Sequence, residues 1–303
     1  MLIILIYLFN LENKENILKY KIFIICILTG LFLPLLALIS CNSEPEKTEG
    51  VKLGAKLNAN TLMPKPGRIA DQQDEAKKQL IINDLIAFII PIIKDNIDTH
   101  NDTTWDEDAQ GYNIKASNQL FGVIQHTDAQ GNKKLYNAQD DGSKTARREM
   151  YLGFDYKKNY IKAFGALANK MIAAKNAQMK TDLENMVDKI REYARAYYLT
   201  AFNTLIKKKD KLLKLDLSDL QTLKAKFWGM SSTYRDISFH LSSIYNDYDK
   251  DIKVGTAKHQ LQTTATAEEI QKYLKDKFKP IEAYFNTIIN TAPRATGILN
   301  KIQ

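Results

Sequence analysis

Cys41 is the residue of this 303-residue chain whose surroundings most clearly predict a chemical modification. It follows residues 22–40, an apolar run with two lysines just before it, which is the order found in secretory signals. The aliphatic Leu38 three positions before the cysteine and the small Ser40 directly before it resemble a bacterial lipobox. In that chemistry the thiol receives diacylglycerol, the chain is cleaved before the cysteine, and acyl chains such as palmitate anchor the product. We therefore predict lipidation at Cys41.

The apolar run could alternatively be a transmembrane helix, because it is long enough to span a bilayer. Polar sequence begins directly after Cys41, and this favours the lipoprotein interpretation. Cleavage would remove Cys26 with the signal, so the protein must fold without an internal disulfide. We predict a signal peptide at 1–40, a lipidated cysteine with a flexible tether at 41–69, and a helical domain at 70–303.

The other residues with chemical potential are scattered along the chain. None of the four histidines has a cysteine or carboxylate at a spacing typical of a metal site. They are His100, His126, His240 and His259. The string from Asp106 to Gly111 begins like a calcium loop, but its twelfth position is Ser117, where that loop requires glutamate. No phosphate-binding loop or hydrolase motif occurs. We therefore expect no enzyme, metal or cofactor, and we expect His240 to pack at the rim of a helix.

The positive charge is a weak indication of function. The formal net charge is +8, yet the chain has 36 lysines and only 7 arginines, a bias typical of AT-rich codons. Proteins that read nucleic acids favour arginine, so we expect no nucleic-acid partner. The run KKKDK at 207–211 has two interpretations. It is either the solvated end of a helix, where cations complement the helix dipole, or a patch for heparin-like glycans or anionic surfaces.

Apolar periodicity predicts helices along most of residues 70–303. From Leu220 to Tyr248 apolar residues step by three and four without a break, which is typical of a helix that packs inside an antiparallel bundle. A further helix is predicted from about Ser143 to Ala174. The period is lost at 99–142, where Trp105, Tyr112, Leu120, Phe121, Val123 and Ile124 are expected to pin a long connection to the core. The tetrapeptide DAQG occurs there twice.

Helix boundaries are predicted from caps and prolines. Capping boxes are predicted to begin helices at Thr181, Ser218 and Thr266. Pro91 should kink or end the first helix. Pro280 and Pro293, with Gly297, should interrupt the C-terminal segment. The predicted fold class is all-α, an antiparallel bundle of about five to seven helices with one long irregular connection.

Three segments resemble a known family. The strings ARREMYLGFDY at 146–156, KKDKLLKLDLSDL at 208–220 and YNDY at 245–248 are similar to a paralogous family of outer-surface lipoproteins of Borrelia, the Lyme-disease spirochetes. Its best-known member is complement regulator-acquiring surface protein 1. The resemblance covers residues 70–303 and implies a helical bundle on a lipid tether without catalysis. It also implies factor H capture and a homodimer through a long C-terminal helix for that member.

Together these observations predict a surface-exposed, lipid-anchored protein of the outer membrane. We expect a non-catalytic binding module for a host or tick protein, acting in immune evasion or adhesion. One alternative is a complement regulator binding protein for factor H or a terminal complement component. Another is a periplasm-facing structural lipoprotein. Because the prolines predict an interrupted C-terminal segment, we expect a monomer and not the homodimer.

Overall fold

Apolar residues at helical spacing form helices along most of residues 66–128 and 130–303, the part of the chain that this computed structural model describes. The helices are α1 (Pro66–Ala87), α2 (Pro91–Asn101), α3 (Leu120–Val123), α4 (Asp141–Gly153), α5 (Lys158–Ala173), α6 (Ala177–Ala194), α7 (Asn203–Lys208), α8 (Leu217–Asp249) and α9 (Ala267–Leu299). A π-helical segment (Arg195–Phe202) joins α6 to α7, and a 3-10 turn (Lys209–Lys214) follows α7. The predicted all-α bundle is confirmed. Cys41 and the predicted signal peptide lie outside the described residues, as does all but the end of the predicted tether.

Two short hairpins were not anticipated from the sequence. Strand β1 (Gln125–Thr127) pairs antiparallel with β2 (Lys133–Leu135), with His126 opposite Lys134. Strand β3 (Lys253–Val254) pairs with β4 (His259–Gln260) between the two longest helices. Each strand has three residues or fewer, too short for a period-two pattern to be visible in the sequence.

The antiparallel pair of α8 and α9 forms the centre of the bundle. The Tyr273 hydroxyl donates to Asp247, and the Lys277 ammonium donates to Ser243, so α9 runs back along α8. The predicted apolar seam of α8 is buried within the chain at Leu220, Leu223, Phe227, Met230, Tyr234, Ile237, Leu241 and Ile244. Helices α1 and α5 also pack on α8, while α5 and α6 pack on α9. The seam is therefore used inside this bundle, as predicted.

The expected interruption of the C-terminal segment is wrong. Helix α9 is continuous over 33 residues and contains both Pro280 and Pro293. Both prolines are exposed, so their rings lie on the solvent side of the helix and leave the packed face undisturbed. Buried Ile281 and Ala292 beside the prolines keep the apolar face in register with the core. Burial along the whole helix outweighs the local cost of proline.

The predicted caps are partly confirmed. Thr266 and its partner three residues later form the capping box that begins α9. The boxes predicted at Thr181 and Ser218 are wrong, because Asn176 and Asp216 cap α6 and α8 a few residues earlier. Pro91 occupies the first turn of α2, where a missing amide hydrogen costs little, so the break predicted there is confirmed.

The single helix expected over about 143–174 is divided into α4 and α5. Asp155 and Tyr156 adopt left-handed backbone angles, with φ of 57° and 54°, and end the helical hydrogen bonding after Gly153. The Asp155 carboxylate accepts hydrogen bonds from Tyr198 and Tyr234, which lie on other helices. Contacts distant in sequence therefore compensate the strain, and a local pattern does not contain them.

The long connection between α2 and α4 is confirmed, and each of its two DAQG strings ends at a left-handed glycine. In each copy the glycine is left-handed, Gly111 with φ of 60° and Gly131 with φ of 86°, and its amide donates to the aspartate that begins the string. The predicted anchors Tyr112, Leu120, Phe121 and Ile124 are buried, and Trp105 and Val123 are partly buried against the same core.

Replacing Pro280 with alanine tests whether the proline destabilises α9 locally while burial of the apolar face keeps the helix continuous. The exposed alanine restores an amide donor and good helix propensity, so we expect the free energy of unfolding to rise by about 1 to 3 kcal/mol. Denaturant unfolding followed by circular dichroism measures the change. Pro91→Ala is the matched control, since Pro91 begins α2 and should change stability little. A P280A protein less stable than the parent contradicts this account.

Candidate functional site

A buried ion pair holds the long connection on the bundle. Arg147 of α4 is 1% exposed, and its Nε donates to Glu107 Oε1 over 2.8 Å while its Nη2 donates to Oε2 over 2.9 Å. Its Nη1 donates to the carbonyl oxygens of Tyr136 and Ala138. The Tyr151 hydroxyl donates to the same glutamate. One guanidinium thus fixes an early and a late part of the connection.

The ionisation of Glu107 follows from these contacts. Burial alone would raise the pKa of its carboxyl, but the hydrogen bonds from Arg147 and Tyr151 and the charges of Arg147 and Lys115 hold that pKa below its ordinary value. Glu107 is therefore an anion at neutral pH, and both of its carboxylate oxygens already accept hydrogen bonds. A carboxylate so completely engaged is a structural anchor and a poor proton acceptor.

A second ionic cluster joins α6 to α4. Arg191 lies 2.9 Å from a carboxylate oxygen of Glu149, and its Nη1 donates to the Tyr136 hydroxyl and to Asp188. The Tyr136 hydroxyl donates in turn to Asp188 over 2.9 Å. The guanidinium also lies 5.4 Å from the centre of the Tyr136 ring. These contacts tie the end of the connection to two helices.

The π-helical segment turns consecutive tyrosines toward the core. Tyr197 and Tyr198 are both fully buried, which the wider spacing of a π-helix permits. Asp155 accepts from Tyr198 and Tyr234, and the Lys157 ammonium lies 3.0 Å from its carboxylate. This carboxylate is also satisfied from several sides. This arrangement is typical of a structural contact and not of a substrate-binding site.

The cavity beside the connection is small, and the charged groups that line it already contact one another. It has a volume of about 180 Å³ and is lined by Glu107, Asp108, Tyr112, Lys115 and Tyr151 among others. The Lys115 ammonium lies 3.3 Å from Glu107 and 2.6 Å from Asp108. A ligand for either carboxylate would have to displace this lysine.

Surface-exposed aromatic residues mark the outer face of α8. Trp228 is 57% exposed and Phe239 is 70% exposed. They are eleven residues, or about three turns, apart, so they lie on one face of the helix. Near its start the same helix borders a groove of about 470 Å³ against α1, where Leu80 is 67% exposed. Exposed large apolar residues aligned in this way are typical of protein contact surfaces.

The histidines stay apart in the structure. His100 is held between Tyr156 and Arg148, and burial together with the Arg148 charge lowers its pKa to about 4. His126 is buried on Ser143, and His259 lies 2.9 Å from Glu269. His240 is half-buried and packs near Tyr284, as predicted for a rim residue. Within the described residues no group of three or more His, Cys, Asp or Glu side chains is arranged to hold a metal.

The string that begins like a calcium loop has a local structural role. Asp106 accepts hydrogen bonds from the backbone amides of Asp108 and Ala109 and so begins a short 3-10 turn. Gly111 ends that turn. The aspartate therefore caps a turn of the connection.

Sequence reasoning missed the arginines that organise the connection. Arg147 and Arg191 were overlooked because their partners lie 40 and 42 residues away. The composition did contain a signal. In a chain with 36 lysines and 7 arginines, an arginine is conspicuous, and a bidentate buried contact requires its planar fork.

A family model described as the Borrelia Bbcrasp-1 domain matches residues 101–300. The chain belongs to the Borrelia Bbcrasp-1 domain family. Solved structures of relatives share the fold. Outer surface lipoprotein BBA64 of Borrelia burgdorferi has a TM-score of 0.54 at 17% identity, covering 78% of this chain and all of that one. Outer surface protein BBA65 of the same organism has a TM-score of 0.50 at 15% identity, covering 72% and 98%.

Both of these solved structures are of Borrelia burgdorferi proteins named as outer surface proteins. No curated protein matches the chain. Among the helices in the described part of the chain, none is sufficiently long and apolar to cross a bilayer. The resemblance inferred from residues 146–156, 208–220 and 245–248 is thus confirmed, and the family is one of outer-surface lipoproteins.

Replacing Glu107 with glutamine tests the role of the buried pair. The neutral amide leaves Arg147 as an uncompensated buried cation, so we expect the free energy of unfolding at pH 7 to fall by about 3 kcal/mol. Asp74→Asn in the exposed pair with Lys77 is the control, with an expected change below about 0.5 kcal/mol.

The pH dependence of this difference checks its cause. Because the folded state lowers the pKa of Glu107, its stabilisation is present above the unfolded value and is lost as the pH falls through the folded value. The gap between parent and E107Q should therefore shrink below about pH 4. An equal gap at pH 7 and at pH 3 contradicts an electrostatic origin.

Proposed function

We propose that this protein is a surface-displayed lipoprotein whose helical domain is a non-catalytic binding module at the host or tick interface. The observation that carries the proposal is membership of a family of outer-surface lipoproteins. The lipobox ending at Cys41 supports a lipid anchor and an outer-membrane location. We propose that cleavage before Cys41 and acylation of its thiol tether residues 66–303 outside the cell.

The arrangement of charged groups supports binding and gives no support to catalysis. Glu107, Asp155 and Arg191 each contact several partners, and no pair of them shares a cavity open to a substrate. The exposed Trp228 and Phe239 instead offer apolar area on one helix face. A protein partner that covers this face would bury both rings, and aromatic side chains give much of the energy of such contacts.

We propose that the domain acts as a monomer. The reason is no longer an interruption of the C-terminal helix by proline. The prolines do not interrupt α9, but its apolar face is already covered by its own bundle from Ile270 to Leu299. A homodimer through the C-terminal helix would need an apolar face free for the second copy. Complement regulator binding and a periplasm-facing role remain the alternatives to the proposed interface function.

Surface display is tested by treating intact cells with a protease that cannot enter them. We expect the parent protein to stay with the membrane fraction and to be digested in intact cells. Cys41→Ala removes the thiol that receives the lipid before cleavage. We therefore expect a chain that carries no acyl groups, keeps residues 1–40 and is not digested in intact cells, because the acyl chains that provide the anchor, at about 0.8 kcal/mol per buried methylene, are never added. Cys26→Ala, inside the signal, is the matched control and should behave as the parent. Full protection of the parent in intact cells would exclude surface display.

Binding through the α8 face is tested by capture from host serum and tick extracts. The double variant Trp228→Ser with Phe239→Ser should lose at least about tenfold in affinity for a captured partner, as expected when two exposed anchors are removed. Leu135→Ser removes an exposed apolar side chain on β2 and should leave capture unchanged. Capture of factor H would favour the complement alternative. If the Trp228→Ser/Phe239→Ser double variant and the Leu135→Ser control capture the partner equally well, another surface binds it.

A further inference from the structure

Residues 207–214 form a lysine-rich end of the bundle, which we call the lysine turn. The segment KKKDKLLK carries five lysines and one aspartate. It comprises the end of α7 and the 3-10 turn that follows. Leu212 and Leu215 are buried and fix the turn on the core, while most of its lysines are exposed. The local backbone therefore presents a cluster of cations outward.

Most charges of the lysine turn are not neutralised by the described part of the chain. Lys207, Lys209 and Lys211 form no ion pair or hydrogen bond there. Lys208 donates to the neutral backbone carbonyl of Ile302, and Lys214 donates to the terminal carboxylate of Gln303. Lys207, Lys208, Lys209 and Lys211 thus remain without a carboxylate partner. Some lysines elsewhere on the surface are paired with acids, as Lys272 is with Asp276, and the lysine turn differs in holding several unpaired lysines within eight residues.

An exposed leucine among these lysines separates two kinds of anionic partner. Leu213 is 44% exposed. Of its two neighbours in the turn, Leu212 is buried and Lys214 is charged. A sulfated glycan offers anions but no apolar region for a leucine. The surface of a lipid layer offers both, since charged headgroups lie directly above the acyl chains. The combination therefore favours a lipid surface.

The lysine turn also lies beside the helix that leads to the predicted anchor. Helix α1 packs against Lys209–Lys214. Residues 42–65 connect Cys41 to the start of α1 in the sequence. A lipid on Cys41 would keep the domain attached to the lipid layer, which raises the effective concentration of the lysine turn at the surface.

We propose that the lysine turn is a second membrane contact, which binds anionic phospholipid headgroups through its lysines and Leu213. The proposal rests on the proposed lipid anchor for its physiological setting, but the contact itself is a property of residues 207–214. Each lysine near an anionic surface strengthens binding about fivefold. The contact orients the domain, with α8 running away from the lipid over about 50 Å from Leu217 to Asp249.

The test uses the chain from residue 41 with Cys41→Ser, so that the lipid anchor contributes nothing. Residues Pro64–Gln303 form a compact unit with its own core. Flotation with vesicles containing about a third phosphatidylglycerol should show binding that weakens as salt rises, and vesicles of phosphatidylcholine alone should bind little. The triple variant K207Q/K209Q/K211Q should bind the anionic vesicles about a hundredfold more weakly.

A charge-matched variant separates the lysine turn from net charge. K250Q/K253Q/K279Q removes three exposed lysines away from the turn and should lose less than about fivefold. Leu213→Ser should weaken binding to vesicles while leaving retention on heparin unchanged. Circular dichroism confirms that each variant is folded.

Three results overturn the proposal. They are absence of parent binding to anionic vesicles at low salt, equal loss in both triple variants, and binding to heparin without binding to vesicles. Because the protein in this assay has no lipid, failure here leaves the proposed anchor at Cys41 untouched. If Cys41→Ala instead behaves as the parent, the proposed anchor is wrong, and the vesicle assay still tests the lysine turn independently.

Discussion

The buried guanidinium of Arg147 is the interaction on which the shape of this domain depends most. The connection between α2 and α4 spans 39 residues, and the sequence has no cysteine after Cys41 that could staple it. Its backbone carbonyls still need donors wherever they meet the core. Arg147 supplies several donors in one plane and reaches Glu107 and the carbonyls of Tyr136 and Ala138 together. A buried ion pair adds little net stability, but it permits few alternative positions for the connection.

Similar charged side chains with several partners join other segments of the domain. Arg191 joins α6 to α4 through Glu149, and Asp155 joins the break between α4 and α5 to Tyr198 and Tyr234. In each case a charged side chain with several partners links segments that are distant in the sequence. The apolar seams hold the long helices together, and the polar clusters determine how the irregular segments cross them.

Periodicity was sufficient to predict the all-α class and the seam of α8, because burial every three or four residues is local information. The cap at Thr266 was visible for the same reason. The division near Asp155 and the full length of α9 were not predictable, because they depend on contacts between distant helices that outweigh local preference. Pro280 is unfavourable in any short window of sequence, yet the buried face around it extends over 33 residues. The ion pair of Arg147 joins residues 40 positions apart, so only the unusual arginine itself could have drawn attention to it.

The distribution of surface groups along α8 links the fold to its proposed role. The lysine turn precedes the helix, and Phe239 lies 22 residues after Leu217, or about 33 Å along the axis. If lipid headgroups hold the lysine turn, the exposed ring of Phe239 is kept clear of the membrane, while the groove beside Leu80 lies close to it. A single flexible tether would leave every face of the domain equally available. A second contact removes that freedom and presents one part of α8 outward, which lowers the orientational cost of binding a partner from outside the cell.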